Sequence, residues 1–275
     1  MRRPRRCGRR SRRSATGRAG PRVRARRLVS SAGLALCLAA CTAAARGIVP
    51  PSDEARRLLA LLQLRRDELV DLRTLAEVTV RRGGRIQRFS GVLLVKPPAS
   101  LRFEALSPLG QPVLLLTVSG GTLSAYNVVE NLAFSYQVNE QTTSRWLGVP
   151  LDAEDLVGLL LGRVIPSRGL RRVEILPSDG EGPSLELTGE RQRARLWLDV
   201  EAGEVHKVAI GGGRTTLVVT YTRPPGSPVP SEIHAAAGQD FEATVEYREP
   251  EIATGLDAER FELRVPNEAK VQRFR

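Results

Sequence analysis

From Thr74 onward the sequence is a succession of short segments in which apolar and polar residues alternate, many of them separated by glycine or proline pairs. Alternation with a period of two is typical of β-strands, and the Gly-Gly and Pro-Pro pairs are typical of turns. Thirteen segments fit this description: residues 74–82, 86–96, 100–106, 112–118, 122–127, 132–138, 170–176, 184–189, 193–200, 204–210, 215–222, 231–237 and 241–248. The sequence therefore predicts a mainly β chain of short antiparallel strands, and it offers no composition break that would divide them.

Two stretches interrupt the strand pattern with helical periodicity. The first begins at Ser52, a good N-cap residue followed by two acidic residues, and its leucines recur at helical spacing to about residue 71. The second has Asp152 as its N-cap and ends at Gly162, with leucines along one side. We expect both helices to be amphipathic and to cover one face of the sheet.

The predicted strands have one apolar face and one polar face. In the third of them, Leu101, Phe103 and Ala105 alternate with Arg102 and Glu104. A sheet that closes only partway leaves its apolar face in need of a cover, and the two helices can provide it. The predicted fold is therefore an incomplete antiparallel β-barrel, covered by an N-terminal helix and a short helical insertion.

The net charge of +12 comes from the beginning of the chain. Thirteen arginines and no acidic residue lie in residues 1–27, and residues 28–40 carry no charge. From Cys41 onward there are 29 basic and 30 acidic residues. A basic chain would indicate nucleic acid as a partner, but the remainder of this chain is nearly neutral. We therefore expect no nucleic-acid binding.

The segment before Cys41 has the three parts of a bacterial lipoprotein signal. Arg26 and Arg27 precede an apolar stretch that ends in Leu38–Cys41 (LAAC). This stretch is shorter than the roughly 20 residues that span a bilayer. Leu38–Cys41 resembles the lipobox of bacterial lipoproteins, which implies cleavage before Cys41, a diacylglyceryl group on its thiol and an N-acyl group on its new amino terminus. The alternatives are an ordinary signal peptide cut near Ala40 and a short buried helix.

Lipidation at Cys41 would anchor the mature chain to a membrane, since two or more acyl chains give stable anchoring. Cys7 and Cys37 precede the cleavage point, so the mature chain has no disulfide framework and no cysteine-based metal site. Thr42 follows the cysteine in place of the aspartate that favours inner-membrane retention, which implies the outer membrane, facing the periplasm. The predicted organisation is a signal peptide at 1–40, a lipidated tether at 41–51 and a folded domain at 52–275.

Four blocks of the pattern stand out: Leu101–Gly110 (LRFEALSPLG), Val113–Leu116 (VLLL), Gly148–Leu151 (GVPL) and Asp155–Gly162 (DLVGLLLG) with Pro166 beyond it. Together they resemble the LolB family of outer-membrane lipoproteins and, more broadly, the LolA/LolB superfamily, over about residues 52–270. The resemblance implies an incomplete barrel of about eleven antiparallel strands. It also implies helices over a hydrophobic cavity that holds the acyl chains of a passenger lipoprotein.

The chain departs from the LolB pattern at one turn. LolB exposes an apolar loop with a leucine at its tip for membrane insertion, whereas the corresponding turn here is assigned to the short segment Lys96–Ser100 (KPPAS). The resemblance therefore predicts the fold more directly than it predicts insertase activity.

The implied cavity is predicted to be lined by Leu93, Val95, Leu101, Phe103, Leu114, Leu116, Phe134, Tyr136 and Trp146. Each of these positions is also compatible with ordinary core packing. We expect an outer-membrane lipoprotein that accepts lipoprotein acyl chains or lipid for transfer, with a periplasmic carrier protein as a further partner and no cofactor beyond the lipid on Cys41. The alternative is a non-transporting interaction or regulatory lipoprotein on the same scaffold; a filled interior favours it, and a continuous cavity favours transfer.

No catalytic motif accompanies these features. The sequence lacks a Gly-x-Ser-x-Gly elbow, a His-Glu-x-x-His pair and a P-loop, and Gly211–Gly213 is followed by neither the Lys-Ser/Thr pair nor a helix. His206 and His234 are isolated within strand patterns. We therefore predict that the chain is not an enzyme and holds no metal.

Overall fold

The computed structural model describes residues 51–163, 169–190 and 192–273, which belong to one compact unit, Ile48–Arg275. The predictions for Cys41, the signal peptide and Pro166 lie outside the described residues. The helices are α1 (Asp53–Asp67), α2 (Glu140–Trp146) and α3 (Ala153–Leu161), with a 3₁₀ turn at Ala258–Phe261. The strands are β1 (Leu72–Arg82), β2 (Arg85–Lys96), β3 (Ser100–Leu106), β4 (Pro112–Ser119), β5 (Thr122–Asn127), β6 (Leu132–Gln137), β7 (Arg172–Asp179), β8 (Gly182–Thr188), β9 (Arg193–Asp199), β10 (Glu204–Gly211), β11 (Leu217–Thr222), β12 (Glu232–Ala237), β13 (Phe241–Ile252) and β14 (Lys270–Arg273).

The fourteen strands form one sheet in the order β14-β6-β5-β4-β3-β2-β1-β13-β12-β11-β10-β9-β8-β7. Neighbours are antiparallel, except that β14 runs parallel to β6. Because β7 and β14 are edges that do not pair with each other, the sheet is open, and the three helices cover it. The predicted fold class, an incomplete barrel with helices over it, is confirmed.

The thirteen predicted strands correspond to β1–β13. The number of strands in the described residues is therefore larger than the roughly eleven that the resemblance implied. The additional β14 is a four-residue edge strand, which begins at the hydrogen bond from Lys270 N to Asn131 O (3.0 Å). Helix α2 was not predicted either, because its sequence EQTTSRW has no apolar periodicity. It is fixed at its start by a capping box, in which Asn139 and Thr142 each accept a hydrogen bond from the other's backbone N–H.

Helix α1 ends at Asp67, four residues earlier than predicted. Leu72, which fits the helical spacing, is instead the first residue of β1. Asp71 holds the corner between them: its buried carboxylate accepts hydrogen bonds from the backbone N–H groups of Thr254, Gly255 and Leu256 at 2.7–3.0 Å. The hydrogen bonds to the Asp71 carboxylate outweigh the weak tendency of these residues to continue the helix.

The core lies against the inner face of the sheet, whose strands β2–β6 and β7–β13 form two wings on either side of β1. The core is most tightly packed against the β7–β13 wing. Leu185, Leu196, Val208 and Val219 are aligned across four adjacent strands, and each is at most 1% exposed. Helix α1 adds Ala55, Leu58 and Leu62 to the same apolar cluster. None of the helices among the described residues is long and apolar enough to cross a membrane.

The β2–β6 wing is also covered on its outer face. Residues 253–269 lie over β2–β4, where Leu256 and Phe261 pack against Leu94. Arg102 on β3 donates to Arg260 O (3.0 Å) and to Glu262 O (3.2 Å). The polar side of these strands therefore holds the C-terminal segment, while the apolar side faces the helices.

Candidate functional site

The strand register brings eight of the nine predicted cavity residues onto the inner face of the β2–β6 wing. One row runs across the strands as Leu93, Phe103, Leu116, Ala125 and Phe134. A neighbouring row is Val95, Leu101, Val118, Leu123 and Tyr136. Leu114 lies on the same face, opposite Ala105. A set chosen by alternation alone thus forms one continuous apolar surface.

This surface is filled unevenly. Leu93, Val95 and Phe103 are buried in the main core cluster. Leu101, Leu114, Leu116, Phe134 and Tyr136 are only half-buried, although Val118 and Ala125 in the same rows are buried. Burial raises the pKa of the Tyr136 hydroxyl. The inner face of this wing therefore combines packed core with partly accessible apolar side chains.

A helical segment formed by α2, residues 147–152 and α3 crosses this face. Just after α2, this segment is held by Thr215, which precedes β11 in the other wing. Thr215 donates its backbone N–H to Gly148 O (3.2 Å) and its hydroxyl to Leu147 O (3.1 Å). Within the segment, the hydroxyl of Thr143 both accepts from Leu151 N and donates to Leu151 O, at 2.8 and 2.7 Å. These bonds fix the Gly-Val-Pro-Leu block between the two wings of the sheet.

Trp146, the ninth predicted residue, comes from α2 rather than from the sheet. Its ring is 57% exposed and lies under the guanidinium of Arg82, which is 5.0 Å from the ring centroid. Together with Tyr136 it lines a cleft of about 210 Å³, whose other apolar walls are Leu123, Val138, Leu147 and Leu156. Two of the nine candidates are thus at the edge of an open cavity.

A larger cleft of about 530 Å³ lies at the other end of the helical segment, between α1, α3 and the β2–β3 turn. Its apolar walls are Leu69, Val70, Pro97, Pro98, Val157 and Leu161, and its charged walls are Arg66, Asp67, Lys96, Glu154, Asp155 and Arg163. This volume lies in the range of roughly 300–1,000 Å³ typical of ligand pockets. Sequence reasoning did not identify this cleft, because its walls come from three separate elements.

Asp155 borders this cleft and is the second partner of the capping box at the start of α3, whose N-cap is Asp152. Its carboxylate accepts from the backbone N–H of Asp152 (3.1 Å), and the Asp152 carboxylate accepts from Asp155 N (2.9 Å). Burial, followed by the nearby charge of Asp152, raises the pKa of Asp155 to about 6. The start of α3 therefore carries a carboxyl group that titrates close to neutral pH.

A buried arginine, Arg163, and a half-buried one, Arg223, lie beyond the other end of α3. Arg163 is 8% exposed; its Nη2 donates to Pro228 O (2.9 Å), while Nε and Nη1 are buried without a hydrogen-bond partner. Nη2 of Arg223 is likewise buried and unpartnered, and it lies against Gly162, where a Cβ would be 2.7 Å from it. Burial and the charge of Arg223 lower the pKa of Arg163 to about 10, so it stays charged at neutral pH. No sequence signal distinguished these arginines from the many exposed ones.

Exposed apolar side chains lie at two turns of the sheet. Leu109 lies in the β3–β4 turn and is 85% exposed, whereas Pro97 and Pro98 form a wall of the larger cleft. Val129, in the β5–β6 turn at the same end of the sheet, is 78% exposed. Neither of these tips was singled out from the sequence, because alternation does not show which turns project from the sheet.

The histidines have structural partners. His206 Nε2 is 3.1 Å from Glu181 O, and His234 Nε2 is 2.9 Å from a Glu242 carboxylate oxygen. Within residues 51–163, 169–190 and 192–273, no three His, Cys, Asp or Glu side chains are grouped so as to hold a metal ion.

Solved structures with the same arrangement of strands and helices are found in bacteria. A domain from Vibrio parahaemolyticus, assigned to outer-membrane lipoprotein sorting, is 13% identical over 75% of this chain and 97% of its own, with a TM-score of 0.52. A LolA-superfamily protein from Nitrosomonas europaea is 14% identical over 76% of this chain and 97% of its own, also with a TM-score of 0.52. No protein-family model matches the sequence, and the curated proteins include no match. The described part of the chain therefore shares its fold with these two solved structures.

Proposed function

We propose that this protein is an outer-membrane lipoprotein, anchored through Cys41 and facing the periplasm, that holds lipoprotein acyl chains or lipid on the inner face of its β2–β6 wing for transfer. The observation that carries the proposal is the continuous apolar surface formed by the predicted cavity residues. Part of it is only half-buried, and a cleft opens at Tyr136 and Trp146.

The energetics of acyl binding fit such a surface. An acyl chain requires apolar contact rather than directed polar groups, and each buried methylene contributes about 0.8 kcal/mol. Leu101, Leu114 and Leu116 retain exposed apolar area beside the main core. Covering that area with a ligand therefore removes apolar surface from water on both partners.

The exposed tip at Leu109 supports a membrane-contacting role for the same end of the sheet. A leucine that is 85% exposed at a hairpin turn gains from burial in a bilayer interface. In this proposal, a periplasmic carrier delivers the acyl chains to the inner face, and Leu109 assists their passage to the membrane.

The test is co-purification followed by transfer. The full-length protein is purified, and its bound acyl chains are extracted and quantified by mass spectrometry; a radiolabelled lipoprotein on a soluble carrier is then offered to it. We expect bound acyl chains and acceptance of the lipoprotein, and Leu116→Glu should lower both severalfold by placing a charge on the inner face. Leu64→Glu, on an exposed position of α1, is the matched control.

A second candidate function is favoured by the filled part of the interior. Leu93, Val95 and Phe103 are buried by protein alone, as expected for a non-transporting interaction or regulatory lipoprotein. Absence of bound acyl chains, together with no acceptance from the carrier, would reject transfer in favour of this alternative. The same result would make the exposed tip a protein-contacting surface.

A further inference from the structure

The larger cleft combines apolar walls with a buried cation that lacks partners. Arg163 is more than nine-tenths buried and borders the cleft, yet Nε and Nη1 donate to nothing. A guanidinium has five N–H donors, and a charged group buried without partners is costly. An anion bound in the cleft would accept hydrogen bonds from these unpartnered donors.

Two acidic groups of the cleft, Asp67 and Asp155, accept hydrogen bonds from other residues. Asp67 accepts from Arg66 Nε (3.2 Å), and Asp155 accepts from Asp152 N and from Gln192 Nε2 (3.4 Å). None of these groups forms a hydrogen bond or an ion pair with Arg163 within the described residues. The acids nearest in their electrostatic effect, Glu68 and Glu204, raise the pKa of Arg163 without contacting it.

A second, half-buried cation adds positive charge at this place. Arg223 lies against Gly162, and its Nη2 is buried and also unpartnered. The hydroxyl of the buried Tyr221 has no partner either, and this residue comes two positions before Arg223. Nε and Nη1 of Arg163 and Nη2 of Arg223 are thus three unsatisfied N–H donor atoms near the end of α3, and they favour a negatively charged group.

We infer that the larger cleft binds an amphiphile with an anionic head, a carboxylate or a phosphate ester. Arg163 holds the head through its unpartnered donors, and the chain lies along Leu69, Val70 and the Pro97–Pro98 wall. This inference rests on the proposed acyl-binding function and adds the class of ligand.

The experiment separates the head from the chain. Full-length protein in a neutral detergent is titrated with palmitate, hexadecyl phosphate, methyl palmitate and inorganic phosphate, and each Kd is measured by displacement of a fluorescent fatty acid or by calorimetry. We expect palmitate or hexadecyl phosphate to bind at least about tenfold more tightly than methyl palmitate, because a hydrogen bond to a charged group is worth about 1.5–3 kcal/mol.

Variants assign the difference to one residue. Arg163→Gln should remove the preference for the anionic probe, and Arg163→Lys should keep part of it. Arg66→Gln is the matched control, because Arg66 borders the same cleft but is already paired with Asp67. If Arg163→Gln does not fold, the wild-type ratio of anionic to neutral probe and the Arg163→Lys variant still decide the matter.

Four results would overturn the inference. If palmitate and methyl palmitate bind equally, recognition of an anionic head is rejected, while acyl binding is retained. Arg163-dependent binding of inorganic phosphate without a palmitate preference would reduce the cleft to a simple anion site. If the preference for the anionic probe persists in Arg163→Gln, a residue other than Arg163 recognises the anionic head. Failure to bind either palmitate or its ester would reject the proposed function together with the inference.

Discussion

The two wings of the sheet are built from the same alternating strands, yet their inner faces differ in packing. In the β7–β13 wing, Leu185, Leu196 and Val208 are inaccessible to solvent. In the β2–β6 wing, Leu114 and Leu116 point to the same side and remain half-buried. The cover explains the difference: the fifteen-residue α1 packs on the first wing, whereas the seven- and nine-residue α2 and α3 cover the second and leave two clefts. One wing therefore provides stability, and the other provides accessible apolar surface.

The largest effect is expected from a truncation in the packed wing. Leu196→Ala removes a side chain that is 0% exposed and leaves a cavity, so the free energy of unfolding should fall by about 3 kcal/mol. Urea denaturation followed by circular dichroism measures the change. Acyl binding by the folded variant should stay unchanged. A loss below about 1 kcal/mol would mean that this wing relaxes as easily as the other, and the comparison would fail.

The next effect tests the corner between α1 and β1, where the two wings join. Asp71→Asn replaces acceptor oxygens that hold Thr254, Gly255 and Leu256, and should lower the free energy of unfolding by about 2 kcal/mol. Asp67→Asn is the matched control, because its exposed ion pair with Arg66 contributes little. Equal effects of the two variants would show that the C-terminal segment does not depend on this carboxylate.

The same carboxylate gives a pH dependence of known sign. Burial would raise the pKa of Asp71, but the hydrogen bonds from Leu256, Thr254 and Gly255 outweigh it and lower the pKa below 3.8. Its contribution is therefore complete above the unfolded-state pKa and is lost as the pH falls through the lower folded-state value. Acid unfolding of the wild type should show this loss, and that of Asp71→Asn should not.

The strands were predictable because alternation is a local property. Most of β1–β13 have their own period-two pattern, although β4 is apolar on both sides from Val113 to Leu116. The same pattern selected the apolar face that carries Leu93, Phe103 and Leu116. Helix α3 was predictable from Asp152 and Gly162, since a cap and a left-handed glycine at the helix end are also local signals.

The clefts and the burial of Arg163 were not predictable, because they depend on distances between elements far apart in sequence. Arg163 becomes buried only when α3 meets Pro228, which is 65 residues away. Leu109 is exposed because its turn extends beyond the sheet, a property that alternation does not encode. The local pattern predicts which face of a strand is apolar. How well the helices cover that face depends on their lengths and on where they cross the sheet, which the local pattern does not show.

A smaller effect concerns the cover of the β2–β6 wing. The pKa of Asp155 is raised to about 6, so its folded-state pKa lies above the unfolded value of 3.8, and stability is lost as the pH rises through 6. Relative to Asp155→Asn, the wild type should lose about 1 kcal/mol of unfolding free energy between pH 5 and pH 8. Parallel urea titrations at the two pH values measure this. A constant difference would mean that α3 is not anchored through a buried carboxyl.

The smallest expected effect on stability comes from the open wing and bears most directly on function. Leu116→Ala removes the same atoms as Leu196→Ala, but from a half-buried position where no closed cavity results, so the free energy of unfolding should fall by only about 1 kcal/mol. Because the lost surface is the one proposed to contact acyl chains, affinity for a fluorescent fatty acid should fall severalfold. Leu75→Ala, at an exposed position of β1, should change neither quantity. If Leu116→Ala costs as much stability as Leu196→Ala and leaves affinity unchanged, both wings are structural core, and the ligand binds elsewhere.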